Sequence, residues 1–332
     1  MKAPGFWWRK PGLAARLLQP ASLAYGAVAA RRMARPGARS SVPVICIGNV
    51  TVGGSGKTPT AIHVASMLRS MGRKPAFLTR GYGGTLGGPI LVDPALHGFR
   101  EVGDEALLLA RHCLTVVARD RPAGAAFAAS LEADVVVMDD GLQNPSLVKD
   151  LAIAVFDGTV GIGNGLPLPA GPLRAPLVAQ LPRIDAVLVI GPGEAGTSVA
   201  ALARGRGLPV FHGGLRPEPE AAARLRGRRV LAFAGIGRPG KFYETLREIG
   251  AELVETRSFA DHHAYRESEI ADLLQASEKA GLLAVTTEKD LVRLAGSPPV
   301  SDRMGRVAVL PVQLAVDAED GLADLLRDAL SP

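Results

Sequence analysis

The chain has 332 residues, 47% of them hydrophobic, with 38 Lys and Arg against 32 Asp and Glu, which is enough apolar content for a large core and excludes a disordered chain. The charge is uneven. The first carboxylate is Asp93, the 92 residues before it carry 13 bases, and the remaining 240 carry 25 bases against 32 acids, which excludes a uniformly basic coat for nucleic acid.

The chain opens on Phe6-Trp7-Trp8-Arg9-Lys10, followed by an Ala/Leu-rich run from Leu13 to Ala30 and then Arg31, Arg32 and Arg35. The run is interrupted by Arg16, Gln19, Pro20 and Gly26, which leaves no uninterrupted apolar stretch for a membrane span. A secretory signal would need a cleaner apolar core and a small-residue cleavage site, whereas here Arg31 and Arg32 follow the run directly. Residues 1–41 therefore read as a basic amphipathic pair of helices, with tryptophans at the headgroup level and cations facing anionic lipid. The same helices could equally pack on their own domain. Cys46 and Cys113 sit in apolar runs and read as buried hydrophobes of a reducing compartment.

From Val42 the chain alternates strand and helix. Val42–Gly48, Pro75–Thr79, Thr115–Ala118, Asp134–Asp139, Leu151–Phe156 and Ile184–Ile190 are near-continuous apolar runs, as in strands covered on both faces of a parallel sheet. A second α/β series follows, with strands expected at Arg229–Ala234, Glu252–Thr256, Leu283–Thr287 and Arg306–Val312. The expected organisation is an arm (1–41), a nucleotide-binding core (42–215) and a smaller α/β lobe (216–332) completing the cleft.

Between the first strand and the next helix lies Thr51-Val52-Gly53-Gly54-Ser55-Gly56-Lys57-Thr58. Glycines let backbone N–H groups approach phosphate oxygens, and the helix N-terminus adds partial positive charge. Lys57 can reach the β- and γ-phosphates, and the Thr58 hydroxyl can ligate Mg²⁺. Thr51 stands where the strict phosphate-loop pattern has Gly. Asp139 and Asp140, ending an apolar strand, supply the carboxylates such a loop needs for its metal. The fold class is thus α/β: a P-loop NTPase-type, mostly parallel sheet with helices on both faces.

No Asn-Lys-x-Asp guanine-reading motif occurs, and Val52 stands where ParA-like ATPases carry an extra Lys. A small-molecule kinase or ligase survives, beside a membrane-associated regulatory ATPase. A kinase acting on an alcohol needs a base near the nucleophile. Asp104, with Glu105, begins a helix, and Asp261-His262-His263 precedes another; an Asp–His pair is a plausible base, although both residues serve equally as helix caps. Arg80, Arg121 and Arg174 follow strands at the end of the sheet where ligands gather and suit anionic phosphate.

GNVTVGGSGKTP, LTRGYGG, VGDE, VVVMDDGLQN, DGTVGIGNGLPLPAGPLR, FADHH and TTEKD occur in the order seen in the tetraacyldisaccharide 4'-kinase family, which the chain resembles over nearly its whole length. The resemblance implies an ATP- and Mg²⁺-dependent kinase that phosphorylates the 4'-hydroxyl of the lipid A disaccharide precursor. It also implies a peripheral (monotopic) position on the cytoplasmic face of the bacterial inner membrane, against its anionic lipid surface, with no nucleic acid and no protein partner required. By position it makes Asp104 the catalytic base with His262 its partner and Lys57 beside the transferring phosphate. Residues 51–58 become the nucleotide loop, and Thr58, Asp139, Asp140 and Glu105 the metal group. Arg80, Arg121, Gln143, Asn144 and Arg174 handle substrate or phosphate. Leu142 and Asn144 replace the family's usual Phe and His, and Ala175 replaces an acidic residue.

Overall fold

The computed structural model describes residues 3–294 and 306–331. Among the described residues thirteen strands form two sheets. In chain order they are β1 (Val44–Gly48), β2 (Pro75–Thr79), β3 (Ile90–Leu91), β4 (Thr115–Val117), β5 (Val135–Asp139), β6 (Leu151–Asp157) and β7 (Ala186–Ile190). β8 (Val210–Pro217), β9 (Arg229–Ala234), β10 (Glu252–Ser258), β11 (Leu283–Thr286), β12 (Val307–Val309) and β13 (Val312–Val316) complete the set.

The larger sheet has nine strands in the order β13-β8-β7-β6-β1-β5-β2-β4-β3. All its internal pairings are parallel, and only the two edge pairs, β13–β8 and β3–β4, are antiparallel. β1, β2, β5, β6 and β7 are buried at every position, as the unbroken Val/Ile/Leu runs require. Their side chains divide between two cores, one on each face: Val44, Cys46, Val136 and Met138 on one, Ile45, Ile47, Val135 and Val137 on the other. Helix Lys57–Ser70 covers the second face with Ala61, Val64 and Leu68.

The smaller sheet has four parallel strands, β10-β9-β11-β12. Here the single run expected over Arg306–Val312 is two strands. Pro311, which has no N–H for a ladder, separates them. β12 pairs β11, whereas β13 crosses to β8 of the larger sheet, and helix Glu319–Leu330 buries Leu322 and Leu326 in that sheet's core. A division after residue 215 therefore falls inside β8, and the chain's last strand and helix return to the larger sheet.

The arm is one 21-residue helix, Leu13–Met33, preceded by a 3₁₀ turn at Gly5–Trp8, in place of the expected helix pair. Pro20 sits inside it. A proline in a helix interior costs about 3 kcal/mol, which the packing of Ala15, Ser22, Gly26 and Met33 on the core offsets. Leu13, Leu17, Leu23 and Val28 point outward and are well exposed. No helix among the described residues is long and apolar enough to cross a membrane.

Candidate active site

β1, β5 and β6 end side by side, in the register Ile47↔Asp139 and Gly48↔Ala154, and the cleft opens at those carboxyl ends. The loop after β1 turns into helix Lys57–Ser70 at Gly56, whose φ of +91° suits glycine. A Cβ there would also strike Ile190 Cδ1 at 2.5 Å. Lys57 and Thr58 open the helix and are both buried. The start of the loop is tied down: Val52 N–H donates to Pro172 O (2.9 Å), Arg174 N–H donates to Val50 O (2.9 Å), and Thr51 bridges Leu173.

Asp139 ends β5 almost fully buried, and among the described residues neither of its carboxylate oxygens has a hydrogen-bond partner. Burial, with the negative charges of Glu105 and Asp140, pushes the group up to about 7. A fully buried carboxylate without a donor has the chemistry of a cation-binding position. Asp140, with φ +56°, turns toward Lys57 Nζ (3.7 Å) and Arg174 Nη1 (3.0 Å). Burial alone would raise Asp140, but Lys57 and Arg174 outweigh it and hold the group below the usual carboxylate range. Among the described residues no three His, Cys, Asp or Glu side chains form a cage. Asp139 and Asp140 offer the one or two carboxylates that Mg²⁺ takes when phosphate oxygens and water complete its shell.

Across the cleft, Asp104 is 4% exposed at the start of helix Asp104–Ala110. Its Oδ1 accepts the Glu105 N–H (2.9 Å). Its Oδ2 lies 2.9 Å from His262 Nδ1, 2.6 Å from Arg293 Nε and 2.5 Å from Arg293 Nη2. Burial pushes Asp104 up, yet the His262 hydrogen bond and the Arg293 charge hold it well below the usual range. The hydrogen bond to Asp104 raises His262 against the effect of burial. Glu105 pairs with Lys289 Nζ at 2.7 Å, and that charge lowers it. Lys57 lowers Glu105 and Glu105 in turn raises Asp139, so the two sides of the cleft share one electrostatic neighbourhood.

Asp104 and Glu105 belong to the larger sheet's side, whereas His262, Lys289 and Arg293 come from the smaller lobe. A second tie crosses at Asp157, the last residue of β6, which accepts from Arg238 Nη1 (2.8 Å) and Lys241 Nζ (2.6 Å). The Arg238 guanidinium also lies 5.9 Å from the Trp8 ring centroid.

The remaining expected residues divide. Arg121 is buried on the Asp139–Asp140 side, with Nη1 donating to Ala118 O and Nε without a partner among the described residues. Arg80 is exposed at the end of β2. Gln143 donates to Asn49 O (2.6 Å) and to Gln180 Oε1 (2.7 Å), which supports the nucleotide loop from behind. Asn144 Oδ1 accepts from Ser146 N–H and Oγ–H, so this side chain closes a turn. Trp7, expected at a membrane interface, is buried with its indole N–H on Pro169 O (3.0 Å).

Arg293, Asp157, Arg238, Lys241 and Gln180 were not singled out from the sequence. A usable signal existed for Arg293: it lies four residues after Lys289 of TTEKD, hence on the same helix face.

Residues 14–331 match the family model described as tetraacyldisaccharide-1-P 4'-kinase. The chain is 61% identical to the tetraacyldisaccharide 4'-kinase of Methylobacterium sp. (strain 4-46), covering 100% of both chains. It is 48% identical to that of Nitrobacter winogradskyi, covering 100% of this chain and 98% of the relative. Among solved structures it resembles LpxK from Aquifex aeolicus in complex with ATP. That match has a TM-score of 0.74 at 27% identity and covers 96% of this chain and 100% of that one.

Proposed function

The chain belongs to the tetraacyldisaccharide-1-phosphate 4'-kinase family, the ATP-dependent kinases of lipid A biosynthesis, and from that membership we propose how its cleft divides the work. The soluble-metabolite and regulatory-ATPase alternatives give way to transfer of the γ-phosphate to the 4'-hydroxyl of the acylated disaccharide 1-phosphate. Residues 51–58 carry the triphosphate, with Lys57 beside the transferring group. Asp139, Asp140 and Thr58 would hold Mg²⁺, with Glu105 near them; bound there, the ion would neutralise charge on the phosphates. Arg174 fixes Asp140, and Arg121 and Arg80 face incoming anionic oxygens.

On the acceptor side the Asp104–His262 pair takes the proton from the 4'-hydroxyl as that oxygen attacks phosphorus in line. The observation that carries this reading is the Asp104 carboxylate. It is buried, ionised and held from the opposite lobe, beside a glutamate that feels the phosphate-loop lysine. Exposed Leu13, Leu17, Leu23 and Val28, with the cations at both ends of the arm, support a peripheral position on the anionic cytoplasmic face of the inner membrane. The acyl chains then stay partly in the bilayer while the disaccharide enters the cleft.

Labelled ATP and the lipid disaccharide precursor, followed by chromatography of the lipid, test the assignment. Asp104→Ala should lower turnover by about 10²–10⁴-fold with ATP affinity little changed. Near-wild-type turnover would remove Asp104 from the chemistry.

A further inference from the structure

The segment 164–176 lies between the N-terminal arm and the phosphate loop and is bonded to both. On its outer side, Ser22 Oγ–H donates to Pro167 O (2.7 Å), Trp7 Nε1–H donates to Pro169 O (3.0 Å), and Asn164 N–H donates to Trp7 O (2.7 Å). At Gly26 the helix backbone comes so close that a Cβ would sit 3.1 Å from Pro176 Cγ and 3.4 Å from Pro167 Cγ. On its inner side, the same segment receives Val52 N–H on Pro172 O and sends the Arg174 N–H to Val50 O. The Arg174 side chain donates through Nε to Thr51 O (3.0 Å) and pairs through Nη1 with Asp140 (3.0 Å). Immediately after this segment, fully buried Gln180 donates to Ala175 O (2.7 Å) and accepts from Gln143, which holds Asn49 O.

The arm also reaches the second nucleotide-side loop. Ala38 N–H donates to Ser146 O and Ala38 O accepts the Val148 N–H, each at 2.9 Å, in the turn that follows the Asp139–Asp140 pair. Both loops that shape the phosphate site are therefore fastened to residues of the first 41. Ser22 and Trp7 are buried, so their hydrogen bonds are screened from water and geometrically fixed.

We propose that Trp7 and Ser22 are positioning residues for ATP. They hold segment 164–176 against residues 50–52, so that the inward face of the arm sets nucleotide affinity while its outward leucines meet lipid. This rests on the reading that residues 51–58 carry the triphosphate.

The test uses the full-length enzyme without lipid, titrated with ATP by calorimetry, beside steady-state kinetics. Trp7→Phe keeps an aromatic ring, though a smaller one, and removes the donor; Ser22→Ala removes the hydroxyl. Each should weaken ATP binding by about fivefold, the effect of one neutral hydrogen bond, with the KM for the lipid acceptor unchanged. A merely structural role would instead lower the folded fraction and leave the ATP KM of the remaining enzyme as it was. Leu23→Ser, on the outward face, should reduce partition onto anionic vesicles and leave lipid-free ATP affinity as it is. Unchanged ATP affinity in both Trp7→Phe and Ser22→Ala overturns the proposal, as does an equal loss in Leu23→Ser. Lys57→Ala separates the two readings. If it too fails to weaken ATP binding, the nucleotide-site reading falls; if it alone weakens binding, only the role of the arm does.

Discussion

On the nucleotide side of the cleft, Asn49 Oδ1, Ser55 Oγ, Arg121 Nε and both Asp139 oxygens lack hydrogen-bond partners among the described residues. On the acceptor side, Asp104 is met by donors from Glu105, His262 and Arg293, and Glu105 by Lys289. A buried polar atom without a partner costs about 1–3 kcal/mol, so polar burial on the first side is not offset by the protein's own donors. On the second side donors from the opposite lobe meet both carboxylates, although Arg293 Nη2 pairs with Asp104 by charge without hydrogen-bond geometry. The protein's own donors thus meet the carboxylates of one half of the site and leave Asp139 in the other without any. Mutations should therefore separate activity from stability differently on the two sides.

The sharpest separation is expected at Asp139. Asp139→Asn should cut turnover on the order of 10³-fold, as for loss of a preorganised charge in a closed site. Because the folded-state value of Asp139 is raised to about 7, its favourable contribution is complete below the unfolded value and is lost as pH rises through about 7. The metal-free variant should therefore melt a few degrees higher than the parent at pH 8, on the order of 1 kcal/mol of relief. A lower melting temperature at that pH would mean that Asp139 already has a partner.

Arg293→Met tests the other half. It leaves two buried carboxylates, Asp104 and Asp290, without their shared guanidinium. Breaking a buried pair in this way costs roughly 3–5 kcal/mol, visible as an early denaturant midpoint, whereas ATP affinity of the folded fraction should change little. Equal loss of ATP affinity would erase the distinction between the sides.

The smallest effect concerns pH. His262 is raised above its ordinary value, so its contribution to joining the lobes is full below about 6.5 and is lost as pH rises through the higher folded-state value. His262 is about a third exposed, which limits the effect to about 1 kcal/mol or less. In the Asp139→Asn background, which removes the slope centred near pH 7, melting curves from pH 5.5 to 9 should show this slope, and adding His262→Gln should flatten it. A slope that survives the substitution belongs to another group.

The nucleotide side was readable in the sequence because its signals are local. Residues 51–58 are contiguous, and Asp139–Asp140 close an apolar run that can only be a buried strand. The acceptor side is assembled over distance: Arg293 lies 189 residues from Asp104 and looks like an ordinary helix cation until the lobes meet. Trp7 illustrates the opposite error. An aromatic beside cations at a chain end suits a membrane interface, and only the tertiary position of Pro169 O gives its N–H an inward partner. Pro20 and Pro311 show propensity losing and winning in turn. The packed inner face of the arm carries the helix through Pro20, whereas at Pro311 the backbone has no N–H to offer and the strand divides.

β8 and β13 pair antiparallel from Gly213↔Val316 to Pro217↔Val312, so the chain leaves the larger sheet and re-enters it at adjacent positions. Topologically the lobe between them is an insertion whose two ends coincide. The two crossings lie side by side, so Arg238, Lys241, His262, Lys289 and Arg293, which meet Asp157, Asp104 and Glu105 from across the cleft, are all carried on one inserted stretch of chain.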